Sequence, residues 1–277
     1  MQEATISVLI PTYNRPKVLA EALESLSRQT AAPSEIIIVN DNGSPVEEAV
    51  LAYPDLPIKL INLQQNGKHV HARNTALKAA TGEYILLLDD DDLLMPTHIE
   101  RMLKHLEDAD MVYSDAEIFD YTFEEDGSRT PNSRFLFAYN DDPLEMRKFS
   151  TFVASGCMYR RELHETLGLF DTEVYNYWDW DFYLRAVSLF RVKRVPAAGV
   201  LYCFSTDGDN VSNDLGEKRK AYLDRLTAKH GLGELPAKNF FVLLEEPAMK
   251  RREALTEILW DGKPIRSRLA KVQESSI

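Results

Sequence analysis

The chain has 277 residues and a net charge of -12, and 44% of its residues are hydrophobic. This length fits two ordinary domains or one large α/β domain with an appendage, and the composition supplies enough apolar material for a core. The acidic balance argues against nucleic acid as a partner of the whole chain. The two cysteines, Cys157 and Cys203, are too few for a disulfide framework or a four-ligand zinc site, so we assign them to packing.

Charge is distributed unevenly along the chain. Residues 1–215 contain 19 Lys and Arg against 35 Asp and Glu, whereas residues 216–277 contain 13 against 9. A basic tail suits an anionic surface, so we expect peripheral contact with the inner face of a membrane or with a second copy of the chain. The simpler alternative, an extension that packs on the acidic body, is somewhat favoured. No basic leader or long apolar segment precedes the first strand, so we expect a cytoplasmic protein.

The first 110 residues alternate short apolar runs with helical patterns. Four apolar runs predict strands, at residues 6–10, 36–39, 58–61 and 84–88. Helices are predicted between and after them, because apolar residues recur there at helical spacing. This alternation is typical of βαβ units, which form a parallel sheet that helices cover on both faces.

The regular alternation ends after about residue 110. Strands are predicted at 111–121, 157–159 and 200–204, and the polar stretch 122–151 is expected to include a mobile loop. Residues 216–277 are predicted to be helical, with one apolar stripe that contains Leu255, Ile258 and Leu259.

Four consecutive carboxylates, Asp89 to Asp92, follow the buried strand at 84–88. Open α/β sheets bind their ligands at the carboxyl ends of the strands. Grouped carboxylates repel one another unless a cation is present, and oxygen ligands suit Mg2+ or Mn2+. Alternation in an extended chain places Asp89 and Asp91 on one side and Asp90 on the other. An acidic start for the helix near Pro96 is the alternative, but the strand-end position favours a metal site.

Polar residues also follow the other predicted strands. The turn at 11–15 offers an aromatic face and a cation beside a helix N-terminus, which suit a base and phosphates. Asp41 follows the second strand and is suited to accept the ring N–H of a pyrimidine, although turn aspartates are common. Arg73 lies on the helix after the third strand and either reaches the nucleotide or is a solvated surface residue. Together, the three successive strand ends favour a nucleotide site.

These motifs resemble glycosyltransferase family 2, whose members are nucleotide-sugar-dependent enzymes of the GT-A fold. The resemblance is carried by Ile10-Pro11-Thr12-Tyr13-Asn14-Arg15, Ile38-Val39-Asn40-Asp41, Ala72-Arg73-Asn74, Gly82-Glu83-Tyr84, Leu88-Asp89-Asp90-Asp91-Asp92, Gly168-Leu169-Phe170-Asp171, and Asp179-Trp180-Asp181 followed by Arg185. It covers residues 5–205 and implies an α/β protein with a Rossmann-like, mostly parallel central sheet flanked by helices. The implied catalytic domain is 1–215, with a nucleotide-sugar half at 1–110, an acceptor half at 111–215, and a helical basic extension at 216–277.

The resemblance also implies roles for individual residues on the donor side. The expected nucleotide contacts are Pro11, Thr12, Tyr13, Arg15, Asp41, Lys68, Arg73, Asp89 and Asp90. Asp91 is the expected ligand of Mn2+ or Mg2+, in an Asp-x-Asp motif that it forms with Asp89.

On the acceptor side, the resemblance assigns the general base to Asp179. Trp178 and Trp180 are expected to stack on a sugar ring, and Trp178 stands where the family often has Glu. Asp181 is a further expected acceptor contact, with an i,i+4 pair to Arg185 as the alternative.

The implied activity is the inverting transfer of a sugar from a nucleotide-diphosphate sugar, with UDP or dTDP favoured, to a hydroxyl of a glycan, a lipid-linked glycan or a small molecule. Such a reaction belongs to glycan or polysaccharide biosynthesis. A non-catalytic nucleotide-sugar-binding scaffold is disfavoured, because both Asp91 and Asp179 are present. A nucleotidyltransferase is disfavoured, because no glycine-rich, basic loop follows the first strand.

Two parts of the sequence do not match the motifs of the family. The family often has a Tyr-Arg-x-His pattern late in the domain, but residues 202–205 lack both Arg and His, which leaves Asp207 and Asp209 as weak candidates for contacts there. His69 and His71 match no motif, and we interpret them as surface or phosphate-adjacent residues and not as ligands.

Overall fold

The computed structural model describes residues 4–125, 128–204, 217–236, 242 and 244–270. Asp207 and Asp209 lie outside these described residues. The described strands form one sheet, and the carboxyl ends of its parallel strands open toward a single cavity.

The first part of the chain alternates strands and helices, as predicted. Its elements are β1 (Ile6–Thr12), α1 (Pro16–Ser27), β2 (Glu35–Asn40), α2 (Glu47–Leu51), β3 (Ile58–Asn62), α3 (Lys68–Ala79), β4 (Tyr84–Leu87), β5 (Leu93–Leu94) and α4 (His98–His105). The four long strands are parallel and lie in the order β4, β1, β2, β3. β1 and β4 are buried along their whole length, because apolar clusters cover both faces of the sheet. The predicted parallel sheet is therefore confirmed.

The second part of the chain extends this sheet in a mixed pattern. Its elements are β6 (Met111–Phe123), β7 (Arg129–Phe137), α5 (Pro143–Met146), β8 (Met158–Arg160), α6 (Leu163–Leu167), a 3-10 helix (Thr172–Tyr177), α7 (Trp178–Val187) and β9 (Val192–Cys203). β8 runs antiparallel between β4 and β6, whereas β9 runs parallel to β6. The central sheet thus remains mostly parallel, as expected.

β7 is a strand that sequence did not predict within the polar stretch 122–151. It pairs antiparallel with β6, and it is buried only at its ends, Arg129 and Phe137. The residues between them are half-buried or exposed, so the segment lacks the apolar alternation by which a half-buried strand is recognised.

The tail is only partly helical, which corrects the prediction for 216–277. Its described elements are α8 (Glu217–His230), α9 (Pro247–Lys250) and β10 (Glu257–Ile258). The predicted helical stripe is wrong, because β10 adds a parallel strand beside β9 and Leu255 is 95% exposed. Within the described residues, no helix is long and apolar enough to cross a membrane.

Two basic residues of α8, Arg225 and Lys229, form ion pairs with the body of the protein. Arg225 pairs with Glu173 at 3.0 Å, and Lys229 pairs with Asp171 at 2.6 Å and with Asp181 at 2.7 Å. Opposite charges within these distances attract, so part of the tail's positive charge compensates the acidic body. The predicted contact of the tail with a membrane or a second subunit stays a prediction.

Candidate active site

A cavity of about 700 Å3 lies at the carboxyl ends of β1, β2 and β4. Volumes of this size are typical of small-molecule and cofactor sites. The predicted site residues that line it are Pro11, Thr12, Tyr13, Arg15, Asp41, Lys68, Arg73, Asp89, Asp90, Asp91, Trp178, Asp179 and Trp180. Asp181 is the predicted site residue that does not line it.

Cations and a hydroxyl balance the carboxylates at the end of β4. Thr12 Oγ1 donates to Asp90 at 2.6 Å, and Arg15 Nη1 lies 2.7 Å from Asp91 and 3.5 Å from Asp90. Burial and the neighbouring Asp91 carboxylate raise the pKa of Asp90 to about 7. The grouped negative charge is thus held in place by partners that the first strand and its turn supply.

The carboxylates also provide an oxygen set for a metal. One oxygen each from Asp89, Asp91 and Asp92 lies within 4.8 Å of the others. Such oxygens fit a hard divalent cation such as Mg2+ or Mn2+. Sequence reasoning missed Asp92 as a member of this set. It assumed an extended chain, whereas residues 90 and 91 form a turn that brings Asp92 to the same side.

The end of β2 is joined to the start of α3. Asp41 is buried and accepts a hydrogen bond from the backbone N–H of Gly67 at 2.7 Å, and Asn66 donates to the Asp41 carbonyl at 3.1 Å. Lys68 opens α3 with a φ of 71°, a left-handed conformation that costs energy for a residue with a side chain. Its ammonium has no hydrogen bond or ion pair with any residue in the described part of the chain.

Arg73 is buried and is not the solvated surface residue that sequence allowed as an alternative. Its guanidinium forms an ion pair with Asp89, lies 2.6 Å from His69 Nδ1, and stands over the Trp178 ring at 4.2 Å. Trp180 is buried as well and donates its ring N–H to the Met146 carbonyl at 2.8 Å. The stacking of either tryptophan on a sugar stays a prediction, and one face of Trp178 supports Arg73.

Asp179 and Asp181 face opposite sides of α7, because two residues of a helix turn by about 200°. Asp179 is half-buried at the cavity, and desolvation raises its pKa to about 6. Asp181 is fully buried and bonds to Arg185 at 2.8 Å and to His230 at 2.7 Å. Burial alone raises the pKa of Asp181, but the hydrogen bonds from His230 and Lys229 outweigh it and lower the pKa to about 2.

The prediction that Asp181 contacts the acceptor is therefore wrong. Its side chain has no exposed surface and holds α8 against α7. The alternative, an i,i+4 pair with Arg185, is confirmed.

Two groups of residues at or beside the cavity were not predicted from the sequence. The tail contributes Arg219, Leu223, Leu235 and Pro236, which carry no motif. Arg129, in the polar stretch, pairs with Glu21 at 2.6 Å and donates to the Asp91 carbonyl at 2.7 Å. Both segments reach the site through contacts between residues that are distant in sequence.

A mostly parallel sheet with a carboxylate cluster at the end of a central strand fits the class of GT-A glycosyltransferases. The model of the family described as "Glycosyl transferase family 2" matches residues 7–168. Over 264 residues the chain is 61% identical to the uncharacterized glycosyltransferase YwdF of Bacillus subtilis, a match that covers 95% of this chain and 98% of that protein. The chain belongs to glycosyl transferase family 2, and its enzyme class is glycosyltransferase.

Solved structures support the same fold. S. aureus TarS (residues 1–349) in complex with UDP-GlcNAc is 20% identical with a TM-score of 0.61, over 81% of this chain and 66% of that chain. The mannosyltransferase PcManGT of Pyrobaculum calidifontis, in complex with GDP-Man and Mn2+, is 21% identical with a TM-score of 0.61, over 90% of this chain and 73% of that chain. At these identities the likeness concerns the fold, and it confirms the predicted fold class.

Proposed function

We propose that this glycosyltransferase moves a sugar from a UDP- or dTDP-sugar to an acceptor hydroxyl with inversion of the anomeric configuration. The observation that carries the proposal is the placement of Asp179 in the same cavity as Arg15, Arg73 and the strand-end carboxylates. One cavity thus combines a carboxylate whose pKa is near 6 with the cations and oxygen ligands that a nucleotide diphosphate needs.

The donor side supplies the groups for the nucleotide. Asp41 accepts the ring N–H of uracil or thymine, and the exposed ring of Tyr13 offers a surface for stacking. Lys68 and Arg15 lie beside the strand ends and provide positive charge for the diphosphate. The relatives that bind UDP, UDP-GlcNAc or GDP-Man support a nucleotide-sugar donor for this chain.

Asp89 and Asp91, together with Asp92, would hold Mn2+ or Mg2+. When bound, the ion supplies positive charge that stabilises the leaving diphosphate. Arg129 fixes the backbone of Asp91 through its carbonyl, and Arg73 orients Asp89. The protein thereby holds its own carboxylates in position before substrates arrive.

Asp179 acts as the general base. It removes the proton of the acceptor hydroxyl as that oxygen attacks the anomeric carbon from the face opposite the diphosphate. A single displacement from that face inverts the configuration. Desolvation suits Asp179 for this task, because a base with a pKa near 6 is ionised at neutral pH and still accepts a proton.

The acceptor enters from the side of residues 111–215 and the tail. A glycan, a lipid-linked glycan and a small molecule are all candidates, in the biosynthesis of polysaccharide or another glycoconjugate. A cytoplasmic location with peripheral contact at the inner face of the membrane remains part of this proposal.

Donor turnover tests the proposal. Purified protein with Mn2+ and a panel of acceptors should release UDP or dTDP from a nucleotide sugar, and NMR of the product should show the inverted anomer. A binding scaffold would take up nucleotide without releasing diphosphate, and a product of retained configuration would contradict the mechanism.

A further inference from the structure

His69 lies in the cavity wall on the first turn of α3, between Arg73 and Tyr175. Arg73 Nη1 is 2.6 Å from His69 Nδ1, and the His69 and Tyr175 ring centroids are 4.2 Å apart. A guanidinium only donates hydrogen bonds, so Nδ1 must accept, and the ring proton is assigned to Nε2. Burial and the Arg73 charge lower the pKa of His69 well below its usual value, so the ring is neutral.

The Nε2–H of His69 has no hydrogen-bond partner among the described residues, although this atom is buried. Buried donors in native proteins are nearly always paired, and an unpaired one destabilises the fold. His69 lines the cavity and its ring packs against Tyr175, so a ligand that displaces the Tyr175 ring would bring the missing acceptor to this atom.

The residues around His69 indicate which part of a nucleotide this side chain would contact. The backbone N–H of Gly67, two residues before His69, donates to the Asp41 carboxylate at 2.7 Å. An acceptor, Asp41, and a neutral donor, His69, therefore approach the cavity from one joined turn. Uracil and thymine present the complementary edge, a ring N–H beside carbonyl oxygens. Cytosine presents an unprotonated ring nitrogen there, with an amino group in place of one carbonyl.

We propose that His69 determines base specificity, by donating its Nε2–H to the O4 carbonyl oxygen of uracil or thymine, beside the ring N–H that Asp41 accepts. The inference rests on the proposed nucleotide site and adds to Asp41 a second side chain that recognises the base. Cytosine then meets a mismatch at both groups, so UDP binds more tightly than CDP.

Two isosteric variants separate this role from a structural one. In His69→Asn, the amide oxygen replaces Nδ1 as the acceptor for Arg73, but the donor at Nε2 is lost. In His69→Gln, the amide nitrogen reaches the Nε2 position, but the acceptor for Arg73 is lost. His71→Asn, at an exposed histidine two residues along, is the matched control.

Calorimetric titration in the presence of Mn2+ measures the affinity of each variant for UDP and for CDP. We expect His69→Asn to weaken UDP binding about tenfold or more and to leave CDP binding unchanged, as the loss of one such contact implies. His69→Gln should bind UDP within about threefold of the wild type, the limit we set for a retained contact. The reverse order of the two variants, or an equal loss for both nucleotides, would overturn the inference.

A measurement on the unaltered protein keeps the test independent of folding. In the wild type, the 15N and proton signals of His69 Nε2–H should shift on addition of UDP, and an unshifted signal at saturation overturns the inference. A wild type that transfers sugar from a UDP-sugar yet binds CDP equally well refutes the base reading alone. A wild type that binds neither nucleotide overturns the proposed function as well.

Discussion

The two sides of the cavity are assembled in different ways. The proposed donor side collects residues from the ends of neighbouring parallel strands, such as Thr12, Asp41 and Asp90. The proposed acceptor side is assembled from α7 and the tail, which ion pairs such as Asp181–Lys229 hold together across many residues of chain. A parallel sheet brings its strand ends to one edge as a consequence of topology, whereas the acceptor side depends on specific long-range contacts.

The contrast is sharpest between the two carboxylates of α7. Asp179 faces the cavity with a pKa raised to about 6, whereas Asp181 is buried among cations with a pKa lowered to about 2. The same residue type thus lines the cavity with a raised pKa on one face of the helix and anchors α8 on the other.

The largest expected effect distinguishes these two carboxylates in turnover. Asp179→Asn preserves shape but cannot accept the acceptor proton, so kcat should fall by a factor of about 100 to 10,000. The kcat of Asp181→Asn should fall far less, at a temperature where this variant remains folded. Turnover at saturating donor measures both, and a dead Asp181→Asn beside an active Asp179→Asn would contradict the assignment.

Stability should show the opposite order. Asp181→Asn removes hydrogen bonds to charged partners that dock α8, so the free energy of unfolding should fall by about 1–3 kcal/mol in urea titration. Because its pKa is depressed, this contribution is present above about pH 4 and is lost as the pH falls toward 2. Asp224→Asn, which breaks an exposed pair with Lys220, is the control and should leave the free energy of unfolding nearly unchanged.

The pH dependence of turnover sharpens the role of Asp179. A base with a pKa of about 6 is protonated below that pH, so kcat at saturating donor should rise about tenfold per pH unit up to pH 6 and then level off. The residual rate of Asp179→Asn should lack this rise. A wild-type profile without a limb near pH 6 would argue against Asp179 as the base.

The smallest expected effect is on the donor side, at Lys68. Lys68→Gly relieves a left-handed backbone, which should raise the free energy of unfolding by about 1 kcal/mol, yet it removes an ammonium from the cavity wall and should weaken UDP binding. Asn42→Gly is the control, because Asn42 also has a positive φ, of 59°, and does not line the cavity. Unchanged UDP affinity in Lys68→Gly would remove Lys68 from the donor site.

Sequence predicted the parallel strands and the polar residues at their carboxyl ends that line the cavity, because both follow simple periodic rules. Asp179 was found only through the family resemblance, since an aspartate at a helix N-terminus has no distinctive pattern. β7 was missed because polar residues occupy most of its length. β10 was missed because it has only two residues. The unpaired Nε2 of His69 depends on three-dimensional burial, which one sequence does not reveal.

The most direct test of the divided cavity is calorimetric titration of UDP with Mn2+ into the wild type, Asp91→Asn and Asp179→Asn. If donor binding uses the strand-end side, as proposed, Asp179→Asn should keep the wild-type affinity and its dependence on metal. Asp91→Asn should lose both, because it removes an oxygen of the proposed metal set. Equal losses of UDP affinity in the two variants would contradict the division of the cavity into a donor side and an acceptor side.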